Sequence, residues 1–360
     1  MAQTSRTLVG RDAELAELTG LLGERHVLLA GDAGVGKTRL LSELGEVARA
    51  RGWAVHTGHC LDFGDLGLPY LPFSEILDCL AVTDAELVAG VELAHPTLAR
   101  LRSASRSEVA PIDRAQLFAG VHALLAAAGA QTPTLVVLED VHWADQSTRD
   151  LITFLLTRPF LSPTALVVSY RSDDLHRRHP LRRQSGEWAR LPAVERIALE
   201  PLGDDAVRDL VAAIDAGLGE SEREDIVARA EGNAFFVEEL VGAATGPGHW
   251  MPEQLADLLL VRLDRLDDAG REIVRTASVA GRRVRHDLLA AVTDLPAAAL
   301  DEALRRAIES HVLVAGDGAY WFRHALLAEA VYDDLLPGER VRLHARYAAA
   351  LASPPAASGT

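Results

Sequence analysis

Residues 31–38 have the residue types and the spacing of a phosphate-binding loop. They read Gly-Asp-Ala-Gly-Val-Gly-Lys-Thr and match the P-loop pattern G-x-x-x-x-G-K-[ST]. Its glycines let the backbone turn so that successive N–H groups point at phosphate oxygens. We expect Lys37 to bind the β- and γ-phosphates and the Thr38 hydroxyl to join a Mg²⁺ shell. The loop residues predicted to contact a nucleotide are Gly31, Gly34, Val35, Gly36, Lys37, Thr38 and Arg39.

A pair of carboxylates follows the P-loop about 100 residues later. Residues 135–140 read Leu-Val-Val-Leu-Glu-Asp, so an apolar strand ends in Glu139 and Asp140. The carboxyl end of a parallel sheet is also where a P-loop lies, so both acids are expected to face Lys37 and the metal. Mg²⁺ needs one acid, and hydrolysis needs a second to orient or deprotonate water. Which of the two carboxylates meets the metal stays open.

An arginine follows another apolar run. Arg171 comes directly after residues 165–170, at the end of a predicted strand. A guanidinium group there can bind the γ-phosphate and stabilise charge in the transition state. The alternative is a solvated arginine at the start of a loop. The residues predicted to be catalytic are Lys37, Glu139, Asp140 and Arg171.

Strands and helices alternate through the first 200 residues and must position these groups. The apolar runs predicted as strands are 26–30, 54–58, 134–139, 165–170 and 194–199. Helical spacing of apolar residues occurs at 37–50, 114–128 and 147–157. This alternation predicts an α/β P-loop NTPase fold, a parallel sheet with helices on both faces.

The pattern changes at residue 201, where the strands nearly vanish. Three helical stretches predict a small all-α domain. A second helical set surrounds a hairpin signal, Ala-Gly-Asp-Gly at 315–318, between possible strands at 311–314 and 319–322. Helices with one hairpin predict a winged-helix-like domain. The predicted domains are 1–200 for nucleotide binding, 201–248 all-α, 252–350 winged-helix-like, and 351–360 as a linker or truncated tail.

The overall composition is that of an ordinary globular protein, with 49% hydrophobic and 24% charged residues in a chain of 360. A net charge of −16 argues against nonspecific binding to nucleic acid. Cys60 and Cys79 are the only cysteines and indicate neither a zinc site nor a disulfide framework. No apolar run approaches the roughly 18 residues of a membrane span, and no signal peptide is visible. We therefore expect a cytoplasmic protein without a membrane partner.

Five motifs in one order carry a family resemblance. They are Leu-Val-Gly-Arg-Asp-Ala-Glu-Leu at 8–15, the P-loop, Leu-Glu-Asp-Val-His-Trp-Ala-Asp at 138–145, Glu-Gly-Asn-Ala-Phe-Phe-Val-Glu-Glu-Leu at 231–240, and Phe-Arg-His-Ala-Leu at 322–326. Together they resemble the STAND ATPases, in particular the large ATP-binding regulators of the LuxR family found in actinomycetes. The resemblance extends over about residues 6–350.

The resemblance implies further roles. Val9, Gly10 and Arg11 lie near the adenine and ribose in such proteins, and Arg171 matches the family's sensor arginine. Pro201 matches the proline that packs on the base, and His324 the histidine that touches the β-phosphate of ADP. The implied cofactors are ATP or ADP with Mg²⁺. ADP is expected to hold a closed, inactive state, and exchange for ATP to permit self-association, with slow hydrolysis resetting the switch.

The chain also departs from the family pattern. Glu139 stands where many relatives have Asp, and Ala234 where Pro is usual. Neither a repeat array nor a basic recognition helix is visible, so DNA binding is expected only through a helix-turn-helix outside this chain. An inducer of unknown identity is expected to act on the switch. Three alternatives stay open: a nucleotide-binding scaffold without turnover, a P-loop enzyme such as a kinase, and a STAND switch of a defence or kinase-linked pathway.

Overall fold

The computed structural model describes residues 8–61, 69–102, 113–176, 179–244 and 253–352. The chain divides into two compact units. The first unit is Arg11–Glu200, and the second unit combines the residues up to Gly10 with those from Pro201 onward. The predicted boundary at 248–252 and most of the predicted tail lie outside the described residues.

A five-stranded parallel sheet forms the centre of the first unit. Its strands are β1 (His26–Gly31), β2 (Ala54–His59), β3 (Thr134–Glu139), β4 (Thr164–Arg171) and β5 (Val194–Leu199). The predicted parallel α/β sheet is therefore confirmed, with strand ends within one residue of those expected. Nearly every residue of β1, β3 and β4 is buried, as in sheets whose two faces are both covered.

The strand order is β2-β3-β4-β1-β5, so β4 lies between β1 and β3. In the register of β1 and β4, Gly31 pairs with Arg171. In that of β2 and β3, His59 pairs with Glu139. Because all five strands run in parallel, the segments that follow β1, β4 and β3 emerge side by side at one sheet edge.

Eight helices of the first unit are described. They are α1 (Asp12–Leu21), α2 (Lys37–Ala50), α3 (Leu71–Thr83), α4 (Ala85–Ala94), α5 (Ala99–Arg102), α6 (Arg114–Gln131), α7 (Gln146–Thr157) and α8 (Pro180–Trp188). Aspartate side chains cap the N-termini of α4, α6 and α7. Helix α2 follows the P-loop and buries Leu40, Leu41 and Leu44 at helical spacing. The sequence patterns did not predict α1, α3, α4, α5 or α8.

The second unit is helical with one small sheet. Its helices are α9 (Asp204–Ile214), α10 (Glu220–Ala230), α11 (Ala234–Ala244), α12 (Glu253–Asp264), α13 (Asp268–Ser278), α14 (His286–Val292), α15 (Ala297–Glu309), α16 (Ala325–Asp334) and α17 (Pro337–Ala352). Strands β6 (Arg283–Arg285), β7 (Leu313–Gly316) and β8 (Ala319–Phe322) pair in the antiparallel order β6-β8-β7. A single apolar core runs from Leu202 to Tyr347.

The predicted hairpin is present as β7 and β8. Asp317 and Gly318 form its turn with φ values of 45° and 69°, as a two-residue type I′ turn requires. Strand β7 begins at Leu313 rather than at residue 311, because His311 has a φ of 55° and follows the end of α15. In the ranges described above, no helix is long and apolar enough to cross a membrane.

Candidate functional site

The P-loop connects β1 to α2 in the geometry that an anion site needs. Gly34 and Gly36 have φ values of 80° and 100°, which side chains disfavour. Helix α2 starts at Lys37 without a side-chain cap. A Cβ added to Gly36 would meet nothing within 4 Å. The uncapped N–H groups of α2 and the open space over Gly36 therefore offer a seat for a phosphate group.

Lys37 is held inside this loop. Its side chain donates hydrogen bonds to the carbonyl oxygens of Gly31 and Asp32, both at 2.8 Å. Burial lowers the pKa of Lys37, and the carboxylate of Asp173 is the largest of the opposing influences. The carbonyl dipoles of the loop and the carboxylate of Asp173 therefore stabilise the charge of the Lys37 ammonium group.

Glu139 meets the P-loop directly. The Thr38 hydroxyl donates a hydrogen bond to Glu139 Oε2 at 2.9 Å. Burial raises the pKa of Glu139, whereas this hydrogen bond lowers it. The structure therefore brings together two of the three residues predicted to serve the metal, one from each motif.

Asp140 follows in a left-handed backbone conformation, with a φ of 56°. Aspartate tolerates this conformation better than most residues. The Asp140 N–H donates to Ser169 Oγ at 3.2 Å, and its Oδ1 lies 3.7 Å from Arg171 Nε. The tight backbone turn aims the Asp140 carboxylate at Arg171 while Glu139 faces Thr38.

Arg171 lies between two acids. Its Nη1 is 3.9 Å from Asp174 Oδ2, opposite the contact with Asp140. Its main-chain N–H donates to Nδ1 of His142 at 3.4 Å. His142 is buried, and burial followed by the charge of Arg171 lowers its pKa to about 3. A neutral His142 therefore supports the backbone of Arg171, in keeping with the structural role expected of a buried histidine.

The segment after Arg171 also contacts the P-loop, which sequence reasoning missed. Ser172 donates from its main chain to Gly31 and from its hydroxyl to Asp32. Asp173 is buried and accepts a hydrogen bond from the Ala33 N–H. The visible signal was a pair of adjacent acids directly after a strand end.

The predicted nucleotide contacts in the leading segment divide between the two units. Val9 packs against the core of the second unit, and Gly10 lies against Ala206 in that unit. Arg11 belongs to the first unit and is almost fully buried. Its guanidinium donates to the carbonyls of Val35 and Glu200, at 3.2 and 2.5 Å, and to Glu14 at 2.8 Å.

Arg39 is half-buried on the first turn of α2, and its Nε has no hydrogen-bond partner among the described residues. Glu139, Asp140 and Thr38 supply only part of a metal shell. Across the described part of the chain, no group of three or more His, Cys, Asp or Glu residues could hold a metal ion. A Mg²⁺ ion at this sheet edge would take its remaining ligands from phosphate and water, as Mg²⁺ usually does.

Pro201 and His324 both belong to the second unit. Pro201 is exposed, and the neighbouring Leu202 N–H donates to the carbonyl of Gly232 at 2.8 Å. His324 is 13% exposed, and its Nδ1 is 4.0 Å from Glu231 Oε2. Its ring packs edge-on against Phe236 with centroids 5.4 Å apart. Their contacts with a nucleotide stay predictions.

Comparisons with known proteins agree with this geometry. Residues 7–168 match the family model of the AAA ATPase domain. A solved structure, a Walker-type ATPase of Pyrococcus abyssi, has a TM-score of 0.59 at 15% identity and covers 92% of this chain and 97% of its own. At that identity the similarity shows a shared fold. Residues 7–168, which contain the P-loop and the strand-end acids, are therefore similar to an AAA ATPase domain.

Two further similarities are weaker. An uncharacterized protein of Rhizobium meliloti (strain 1021) is 28% identical over 365 residues, covering 89% of this chain. This chain spans only 34% of that protein's length. A STAND protein with a tetratricopeptide repeat sensor from Pyrococcus horikoshii covers 98% of this chain and 47% of its own, at 14% identity and a TM-score of 0.41.

Proposed function

We propose that the chain is a molecular switch controlled by ATP and ADP, with slow hydrolysis, and that it is the N-terminal regulatory module of a transcriptional regulator. Two contacts at one sheet edge carry the proposal. Thr38 donates a hydrogen bond to Glu139, and Asp140 lies beside Arg171. This set has a group for each task of a phosphate-sensing ATPase: metal, water and γ-phosphate.

The residues fit ATP or ADP with Mg²⁺. The uncapped start of α2, the space over Gly36 and the ammonium of Lys37 suit nucleotide phosphates. Thr38 and Glu139 would hold the metal ion, which when bound neutralises charge on the phosphate oxygens. Lys37 would exchange its loop carbonyls for phosphate oxygens.

The contacts support different roles for the carboxylates of Glu139 and Asp140. Glu139 touches the Thr38 hydroxyl and is therefore assigned to the metal side. Asp140 lies beside Arg171 and is assigned to orient or deprotonate the attacking water. Arg171, placed by β4 between the P-loop and the acids, is assigned to the γ-phosphate.

The chain path supports a switch. The chain passes between the two units at only two points, after Gly10 and after Glu200. Arg11 bonds the carbonyl of Glu200, beside one crossing, and the carbonyl of Val35 in the P-loop. Through Arg11, a change in the P-loop on nucleotide exchange can therefore reach both points at which the chain passes between the units. The switch requires ATP and ADP to differ in affinity for its two states.

The second unit is proposed to sense ADP. Its element order α13-β6-α14-α15-β7-β8, with β8 between β6 and β7, is that expected for a winged-helix-like domain, preceded by the small all-α domain of α9 to α11. In the ADP state we assign Pro201 to the base and His324 to the β-phosphate. This assignment rests on the motif resemblance and makes the closed state specific for ADP.

The partners are part of the proposal. We propose self-association in the ATP state and DNA binding through a helix-turn-helix outside this chain, under control of an inducer. The chain spans about a third of the Rhizobium meliloti relative, which leaves room in such a protein for further domains. The net charge of −16 suits a module that does not itself bind nucleic acid.

The test is to identify the nucleotide that copurifies with the chain. The protein is denatured, the released nucleotide is measured by chromatography, and emptied protein is titrated with Mg-ATP and Mg-ADP. We expect close to one ADP per chain and binding of both nucleotides, with affinity for both about 10- to 100-fold weaker in K37M. An empty wild-type site that binds neither nucleotide overturns the proposal.

A further inference from the structure

The segment that follows β4 is bound to the P-loop at three successive residues. The Ser172 N–H donates to the Gly31 carbonyl at 3.1 Å, and the Ser172 hydroxyl to Asp32 Oδ1 at 2.8 Å. The Ala33 N–H donates to Asp173 Oδ1 at 3.0 Å. A carboxylate from the neighbouring strand end therefore already occupies one N–H group of the phosphate-binding loop.

The position of Asp173 makes its charge effective. Only 3% of the residue is exposed, so water screens the carboxylate poorly. Its hydrogen bond from the Ala33 N–H holds this charge within the loop that carries Lys37. Asp173 is thus a fixed negative charge inside the phosphate-binding loop.

We propose that Asp173 is a built-in counter-anion of the P-loop, a positioning residue that shapes the empty loop and weakens its hold on nucleotide phosphates so that bound nucleotide can be exchanged. This inference rests on the proposed function, because it concerns the regulation of the same site. A phosphate entering the loop meets a negative charge that the fold has fixed close to Lys37. Like charges in a poorly screened site repel, which lowers affinity and speeds release.

Substitution can separate the negative charge of Asp173 from its hydrogen bond with Ala33. D173N keeps an oxygen that accepts from the Ala33 N–H but removes the charge. A purely structural role predicts equal or weaker nucleotide binding in this variant, because only geometry matters. A counter-anion predicts tighter binding. The matched control is E46Q, which removes one negative charge from α2 at a side chain that is 68% exposed.

The experiment measures Mg-ATP and Mg-ADP affinity by titration, and ADP release by stopped flow with a fluorescent analogue, in wild type, D173N and E46Q. We expect D173N to bind ATP about tenfold more tightly and to release ADP correspondingly more slowly, with E46Q close to wild type. The gain of D173N should persist at about 0.5 M KCl, where the effects of exposed charges are screened.

The outcomes separate this inference from the proposed function. If the wild type binds neither nucleotide, the proposed function fails. If the wild type binds both and D173N binds equally or more weakly, only the counter-anion role fails. Should D173N not fold, D173S provides an uncharged acceptor and the same expectation. Failure of both variants to fold contradicts the inference, because Asp173 would then serve the fold alone.

Discussion

The Thr38 hydroxyl donates a hydrogen bond to Glu139 Oε2 at 2.9 Å and so joins two motifs 101 residues apart. The contact forms because β4 lies between β1 and β3 and all three strands end at the same edge. It commits Glu139 to the P-loop side of the site and leaves Asp140 facing Arg171. The adjacent acids are thereby distinguished by geometry rather than by residue type.

Replacing Lys37 tests the phosphate seat. K37M keeps the length and apolar stem of the side chain but removes the ammonium, which donates hydrogen bonds to the loop carbonyls of Gly31 and Asp32. We expect affinity for Mg-ATP, measured by titration, to fall by about 10- to 100-fold, the value of a hydrogen bond to a charged group. Unchanged affinity in a folded K37M protein would show that the nucleotide binds elsewhere.

Arg171 should affect turnover more than binding. R171A removes the guanidinium between Asp140 and Asp174, and we expect the hydrolysis rate to fall by about 100-fold, as when one transition-state donor is lost. ATP affinity should change by less than about threefold, because Lys37 and the loop N–H groups remain. R196A, at an exposed position on β5, is the control. A full hydrolysis rate in R171A would return Arg171 to the solvated alternative.

The strands around the site could be predicted because their burial is visible in short stretches of sequence. β1 and β4 are buried on both faces and therefore appear as largely apolar runs. The P-loop and the acids are likewise short motifs. The short strand β6 has the opposite character, since only Val284 is buried in its three residues. β6 forms because it pairs with β8, some 35 residues away, and a local sequence pattern cannot predict that pairing.

The contact of Asp173 was missed for a related reason. This contact depends on β4 lying next to β1, and the order of strands in a sheet is set by long-range packing. The two acids after Arg171 are visible in the sequence, but without that order they indicate only a polar loop. The same limit applies to Arg11, whose partners Val35 and Glu200 lie 24 and 189 residues away.

Gly232 should be essential to the start of the second unit. It has a φ of 75°, and a Cβ there would lie 2.3 Å from the Leu202 carbonyl oxygen. We expect G232A to lower the free energy of unfolding by more than about 2 kcal/mol, measured by urea denaturation. G242A is the matched control in α11, where a Cβ meets nothing within 4 Å, and should be neutral or stabilising by about 0.5–1 kcal/mol. Equal stability of the two variants would refute the close approach.

His26 should make stability depend on pH. Burial lowers its pKa from 6.5 to about 4, while its Nδ1 accepts from the Leu166 N–H. Below pH 6.5 the unfolded chain binds a proton that the folded chain refuses, so stability is full above pH 6.5 and declines toward pH 4.

The matching variant is H26N, which keeps an acceptor but does not titrate. In urea denaturation the wild type should lose about 1.6 kcal/mol more than H26N between pH 6.5 and pH 5, because the full slope of about 1.4 kcal/mol per pH unit is reached only below pH 6.5. Parallel stability curves for the two proteins would mean that His26 takes up its proton in the folded state as readily as in the unfolded chain.

Phosphate release from Mg-ATP by wild type, E139Q and D140N tests the central claim most directly. Asparagine tolerates the left-handed backbone at 140, so D140N should fold. We predict slow release by the wild type and at least about 100-fold less by D140N, which still binds Mg-ATP. E139Q should lose both release and the dependence of ATP affinity on Mg²⁺. A wild type that binds ATP but releases phosphate no faster than D140N would contradict an ATPase and leave a nucleotide-binding scaffold.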